Sequence, residues 1–342
     1  MASSPSAPAP SSAGPSFLAP APPAPLPHLL PRSVLDAPTP SALDGVSAAL
    51  ERAHRLFGCE LAQELCVLLC MPQHCAATAQ SLLQRFYFRR SLALFDAHCT
   101  AMACVFLAGK VEEHTRSMRD VLNVCYACKL RRQGRAPRPL QRGCELDKQW
   151  KANLIRTERF VLLSLGFQMY AVSNEHPHKA SGRGAPPAPP PLRPAPPPPL
   201  TLPSRRPPPR AQFILYYVRA LGGGDALAQS AWSYLNDSLR LDLCCRHAAE
   251  VIACAALLLA ARDTRFALPT GVPWTQVFSS ELAEVEAVAA RIDALYADEA
   301  AAAERWPASL MIAPGSAAAA SAPAPAPVPV PAAAGAAAGA AR

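Results

Sequence analysis

The chain carries 342 residues, with 33 Lys and Arg against 25 Asp and Glu, a formal net charge of +8 and 51% hydrophobic residues. That length holds two domains of roughly 100–130 residues plus unstructured sequence, and the 39 prolines are too many for an all-helical globule, so they must lie outside it. The longest apolar run, Val251 to Ala261, is about half of a membrane span, and no Lys or Arg precedes Arg32, which speaks against a secretory signal.

Residues 1–43 are rich in Pro, Ala and Ser and are expected to be disordered, because they cannot bury enough apolar surface to offset ordering entropy. Helical periodicity begins at Asp44. Leu56, Leu61, Leu65, Leu68 and Leu69 mark a first helix that stops near Pro72. A second runs about 74–89 through Leu82, Leu83, Phe86 and Tyr87, and a third, about 95–113, is apolar on every side. Ser117-Met118-Arg119-Asp120 has capping-box spacing and starts a fourth, Val121 to Leu130. A fifth runs from Leu146 to Leu165 and stops at Gly166, a C-cap residue. Residues 44–174 thus form one predicted domain.

Between Pro186 and Pro209 fall 14 prolines, so 175–210 reads as a Pro/Arg-rich insert with polyproline-II character, a spacer outside any core. A second domain, 211–300, resumes at Phe213 to Val218 and continues through helices at 226–239 and 247–262, a short piece near Trp274 to Phe278 and a last helix at 280–297. Ser279 or Ser280 can cap the last helix. The tail 301–342 is Ala/Pro-rich and expected to be disordered. With no strand pattern anywhere, the fold class is all-α: two five-helix bundles in tandem.

The two halves look alike. Ala79-Gln80-Ser81 and Ala228-Gln229-Ser230 open similar helices, and downstream of each lies an almost wholly apolar one, Met102 to Lys110 and Cys254 to Arg262. A helix apolar all round must be surrounded by other helices, so each copy predicts a small bundle, and duplicated bundles suit a binding scaffold better than a catalyst. The competing explanation is coincidence between alanine-rich helices.

Charge and cysteine add two constraints. Between Asp120 and Glu145 lie six Lys/Arg and no acid, and none lies between Glu175 and Asp225, so both runs read as solvated loops that attract an acidic partner or nucleic acid. The 12 cysteines form no disulfide framework and sit in apolar helical sequence, which fits a reducing compartment. Cys125 and Cys128 have zinc or redox spacing, but no second pair lies nearby in sequence, so no metal site or cofactor is expected. His176 and His178 with Cys144 make no ligand set, and no nucleophile–base pairing points to an enzyme.

Two charges stand inside apolar stripes. Glu158 is four residues from both Leu154 and Leu162, and Lys110 shares a face with Phe106 and Leu107. Either Lys110 merely neutralises its helix dipole and Glu158 finds an internal partner, or both rim a groove awaiting a docking helix.

Here the residues match a known family. Residues 59–179 resemble the first cyclin box of the cyclin L family and 213–300 its second. The matching segments include Gly58 to Leu61, Gln84 to Tyr87, Ala101 to Cys104, Leu107 to Glu113, Arg119 to Val124, Glu158 to Leu162, Leu165 to Phe167 and His176 to Lys179. In the second half they are Ala231 to Arg240, Leu268 to Thr270 and Pro273-Trp274. The resemblance implies tandem cyclin boxes and a non-catalytic regulator of a cyclin-dependent kinase in the nucleus, in RNA polymerase II transcription and pre-mRNA splicing. It further implies that a groove between the third and fifth helices of the first box receives the kinase helix bearing the active-site glutamate. Lys110 and Glu158 would be its paired polar contacts, and Leu107, Val111 and Leu162 its apolar ones. Splicing or transcription factors are further partners on this account; contact with nucleic acid stays open and no membrane is involved.

Three departures stand out: an Ala/Pro-rich C-terminus in place of an Arg/Ser-rich tail, the inserted 175–210, and no tryptophan docking patch in the first helix. The alternative from another class is a cyclin-fold DNA-binding basal transcription factor. Its discriminating zinc ribbon would need cysteines before Cys59, and there are none.

Overall fold

A computed structural model describes residues 29–169, 213–269 and 273–302. The expected insert 175–210, the His176 to Lys179 run and the tail after 302 lie outside the described residues. Every regular element among the described residues is an α-helix.

Two short helices, α1 (Arg32–Leu35) and α2 (Pro40–Leu43), come first. They lie within the stretch 1–43 that composition marks as disordered. Long-range polar contacts hold them. The Thr39 hydroxyl caps α2 by accepting from the Ala42 amide at 3.2 Å and donates to Glu51 at 2.5 Å. The fully buried Ser41 hydroxyl accepts from the Leu92 amide at 3.1 Å, and the Leu30 amide donates to the Cys245 carbonyl at 2.9 Å. Composition is blind to partners so far away in the chain.

The first bundle comprises α3 (Ala48–Leu68), α4 (Gln73–Tyr87), α5 (Ala97–Val111), α6 (Met118–Arg132) and α7 (Glu145–Ser164). Helix α5 is the hub, packed by α3, α4, α6 and α7. Its Ala101, Ala103, Cys104, Val105 and Ala108 are completely buried, because small side chains let four neighbours approach one axis. Around it Leu61, Leu65, Leu82, Leu83, Phe86 and Tyr87 are fully buried, each stabilising the fold by about 1.5–3 kcal/mol. Gly58 permits the α3–α4 contact: a Cβ there would meet a Leu83 methyl at 2.8 Å. Ser117 caps α6 as its spacing predicts, accepting from the Asp120 amide at 3.1 Å and donating to the Asp120 carboxylate at 2.7 Å.

The second bundle comprises α8 (Phe213–Ala220), α9 (Asp225–Ser238), α10 (Leu243–Arg246), α11 (Ala249–Thr264), α12 (Trp274–Val277) and α13 (Leu282–Ala302). Helix α11 takes the part of α5, packed by α8, α9 and α13. Tyr217 stacks on Phe278 at 3.8 Å between ring centroids, seating the loop after α12 against α8. The single turn α10 is an element that periodicity could not reveal, being shorter than one repeat of the pattern.

The two bundles meet along α4. The Gln84 side-chain amide donates to the Arg240 carbonyl at 2.9 Å, and that of Gln73 to Asn236 at 3.1 Å. Consequently Thr78, Gln80, Ser81, Gln84 and Arg85 are buried on α4, whereas Gln229 at the corresponding place on α9 is exposed. One helix is covered on both sides and its sequence repeat is not.

Candidate functional site

Helix α5 ends in a way that fixes Lys110. Glu113 adopts a left-handed backbone, φ 59°, and the His114 amide donates to the Gly109 carbonyl at 2.9 Å, closing a Schellman turn. A Cβ on Gly109 would lie 3.0 Å from the Met71 methyl and 3.1 Å from the His114 carbonyl, so a larger residue would have to displace the closing turn by a few tenths of an ångström. Lys110 therefore sits in the last helical turn, where the dipole favours a cation. One residue beyond Val111, Glu112 accepts from the Thr78 hydroxyl at 2.7 Å, binding the end of α5 to α4.

The other half of the site comes from α7. The Cys144 thiol caps it, and Asp147 in its first turn is wholly enclosed. Asp147 accepts from Lys151 at 2.7 Å, from the Gly143 amide at 3.0 Å and from Arg119 of α6 at 2.9 Å. The Lys151 and Gly143 hydrogen bonds foremost hold its carboxyl below the usual carboxylate range. Arg119 also donates to the Leu140 carbonyl. This knot fixes the start of α7 relative to α6 and so aims Glu158 three turns later.

The Lys110 ammonium donates to Glu158, and its nitrogen lies 4.1 Å from the centre of the Phe106 ring. The lysine side chain is 44% exposed and the glutamate's 13%. An ammonium has three donors and this pair uses one, so the site keeps hydrogen-bonding capacity towards solvent. The internal pairing that sequence offers as one explanation is thus present, at a surface that a partner can reach. Val111 and Leu162 are half-buried beside the pair. Leu107 is only 4% exposed and belongs to the core beneath it, so it supports the surface without forming it. The reason is helical phase: Phe106 and Lys110, four apart, share the outer edge, whereas Leu107, one residue on, turns into the core.

Phe106, which sequence already sets on the face of Lys110, supplies the ring under it, and one residue at this surface escapes sequence reasoning. Ile155, 53% exposed, lies one turn before Glu158 and two before Leu162 on the same face of α7. A β-branched apolar residue beside an otherwise complete stripe was the available signal.

The remaining candidates lie elsewhere. In the basic run, Arg131 and Arg132 both bind Glu64, Arg132 at 2.7 Å, and the Lys129 nitrogen lies 5.5 Å from the centre of the Trp150 ring. Arg135, Arg138 and Arg142 stay exposed. A cleft of about 430 Å³ between the bundles is lined by Arg52, Arg55, Arg246 and Arg291 with Glu51 and Asp242. Asp242 accepts from Arg246 at 2.6 Å and Arg291 at 2.5 Å, but with Arg240 also in the lining five arginines face two acids, so the cleft keeps a positive excess. Burial opposes ionisation of Asp242, but Arg291 and Arg246 outweigh it and its carboxyl titrates low.

Comparison with known proteins places these observations. The family described as Cyclin, N-terminal domain matches residues 32–170. Over 258 residues the chain is 34% identical to Cyclin-L1-1 of Arabidopsis thaliana, covering 75% of this chain and 53% of that one. It is 34% identical over 273 residues to Cyclin-L1 of Homo sapiens, covering 78% and 44%, and 34% identical over 263 residues to Cyclin-L2 of Mus musculus, covering 75% and 43%. The chain spans about half the length of the curated relatives it matches. Among solved structures, a chain of the yeast RNA Pol II CTD kinase CTDK-1 complex superposes with a TM-score of 0.57 at 16% identity, covering 79% of this chain and 73% of that one, a likeness of fold alone.

Proposed function

This chain belongs to the cyclin L family, and from that premise we propose that it is a non-catalytic regulatory subunit that binds and activates a cyclin-dependent serine/threonine kinase. Its setting on this proposal is RNA polymerase II transcription and pre-mRNA splicing in the nucleus. The observation that carries the proposal is the Lys110–Glu158 pair, which bridges α5 and α7 beside the apolar side chains of Val111, Leu162, Phe106 and Ile155. These form the seat for the kinase helix that carries the active-site glutamate.

The work done there is a population shift. A kinase is active when its lysine–glutamate ion pair forms and its activation loop opens, and a cyclin that binds only that arrangement stabilises it. Converting a mostly inactive population to a mostly active one takes on the order of 5 kcal/mol of differential binding. Covering two or three apolar side chains supplies about 1.5–3 kcal/mol each before ordering costs, and a charge-assisted hydrogen bond about 1.5–3 kcal/mol. The scale suffices without any catalytic group in this chain.

The test is recovery of kinase from nuclear extract on the tagged full chain, with the bound kinase identified by mass spectrometry. Lys110→Ala combined with Glu158→Ala is expected to abolish kinase recovery while helical content is retained. Undiminished recovery would place the kinase on another surface.

A further inference from the structure

Cys125 and Cys128 have metal-type spacing without a second pair nearby in sequence, but folding supplies other donors. At the opposite end of α5 from Lys110, one ligand atom each from Asp96, His98 and Cys99 lies within 4.8 Å of the other two. Helix α6 brings Cys125 against this group, its sulfur 3.7 Å from His98 Nε2 and 3.9 Å from Nδ1. We propose that Asp96, His98, Cys99 and Cys125 form a structural zinc site that pins the start of α5 to the middle of α6.

The donor chemistry selects the ion. One carboxylate, one imidazole and two thiols form a four-donor set of mixed hardness that suits zinc and is poorly matched to calcium or magnesium. Zinc–sulfur bonds of about 2.3 Å and zinc–nitrogen bonds of about 2.0 Å set neighbouring donors roughly 3.3–3.8 Å apart. The Cys125 sulfur stands nearly equidistant from the two ring nitrogens of His98, so the imidazole turns to aim one lone pair at the ion while Asp96 and Cys99 close in by side-chain rotation. Asp96 caps α5 through Oδ2, accepting from the Cys99 amide at 3.2 Å, which leaves its other oxygen for the metal.

Charge balance points the same way. On binding, the two S–H bonds of Cys99 and Cys125 break, two protons go to solvent and two zinc–thiolate bonds form, with no change of oxidation state. The filled site, Zn²⁺ with one carboxylate and two thiolates, carries one net negative charge. Lys129, whose nitrogen lies 5.5 Å from the centre of the Trp150 ring that packs edge-on to His98 at 5.5 Å, is the neighbouring cation that offsets that charge. Cys128, one turn from Cys125 on α6, contributes no ligand in this arrangement.

The experiment uses the full chain, purified under reducing conditions and titrated with Co²⁺ alone, then with Zn²⁺. Expected are the visible d–d bands of tetrahedral cobalt and a near-ultraviolet thiolate-to-cobalt band, saturating at one ion per chain and erased by zinc. Cys99→Ser and Cys125→Ser are each expected to weaken binding at least tenfold, whereas Cys128→Ser and the distant Cys254→Ser keep it. Circular dichroism of the metal-free variants confirms folding, and the wild-type cobalt spectrum stands even if one variant fails to fold. Octahedral cobalt bands, no cobalt bands at all, or unaltered bands in both Cys99→Ser and Cys125→Ser would overturn the site.

Discussion

Lys110 donates to Glu158 across forty-eight residues, tying the last turn of α5 to the middle of α7. The lysine is largely solvated, so the pair and the Lys110–Phe106 contact together contribute only about 1 kcal/mol to folding. Their value for partner binding is larger, because a docking helix removes both charges from water. Lys110→Glu is therefore expected to lower stability by about 0.5–1 kcal/mol through repulsion with Glu158, and to reduce kinase recovery at least tenfold. Adding Glu158→Lys restores the internal pair and the stability. It leaves kinase recovery low, since the partner's donors and acceptors meet reversed charges. Urea midpoints and pull-down yields on the three chains separate the two effects, and a double variant that recovers both would show that the pair acts only within the fold.

Gly109 holds the geometry that presents Lys110. An alanine methyl would press on Met71 and on the His114 carbonyl at 3.0 and 3.1 Å. Gly109→Ala is expected to cost about 1–3 kcal/mol and to weaken kinase binding more than the stability loss alone accounts for. Glu113→Gly relieves the left-handed strain at φ 59° and is expected to stabilise by about 0.5–1 kcal/mol. Thermal unfolding of both chains checks the pair, and equal midpoints would show that the turn relaxes freely.

How far this was legible follows from where each signal lives. Helices α3 to α7 announce themselves because Leu61, Leu65, Leu82 and Leu83 repeat at helical spacing around the apolar α5. Helices α1 and α2 do not, because what orders them is Ser41 bonding Leu92 and Leu30 bonding Cys245, neither of which composition can register. The Lys110–Glu158 pair was legible because a charge interrupts an apolar stripe on each of two helices. The burial of Leu107, 4% exposed, was not legible, since a stripe one residue wide cannot say which edge faces core. Asp147 was silent, because a carboxylate in a helix's first turn looks like ordinary dipole complementation until Arg119 is found beside it. His98 and Cys125 stand 27 residues apart and only packing unites them.

Acid is expected to loosen the α6–α7 junction first. Asp147 titrates below its ordinary range, chiefly through Lys151 and the Gly143 amide. The unfolded chain takes up this proton near pH 4, whereas the folded chain resists until lower pH. The stabilisation is thus complete above about pH 4 and drains away as pH falls through the depressed folded value. Urea midpoints followed from pH 7 to pH 3 should fall steeply for the native chain. Asp147→Asn should start lower at pH 7 and fall less steeply in acid. Parallel curves would assign the acid limb to another carboxylate, with Asp242, held low against burial by Arg291, the next to test.

Arg240 decides whether the bundles unfold together. It follows α9, donates to Glu60 of α3, lies 3.9 Å from Asp237 and offers its carbonyl to Gln84 at 2.9 Å. Gln84 in turn accepts from Arg55 at 2.9 Å, so the contact reaches the core of the first bundle. Arg240→Ala leaves the partly buried Glu60 without its guanidinium, an expected loss of about 1.5–3 kcal/mol. Gln84→Ala costs a similar amount by stranding the Arg240 carbonyl. Because Gln84 bonds the Arg240 backbone carbonyl, which Arg240→Ala keeps, the double variant should cost close to the sum of the two. Urea unfolding of the native chain should give coincident transitions by circular dichroism and tryptophan fluorescence. In Arg240→Ala they should separate, the second bundle melting first because it loses its side-chain tie to Glu60 of α3. Coincident transitions in that variant would mean that the bundles are coupled by other contacts, such as Gln73 with Asn236 at 3.1 Å.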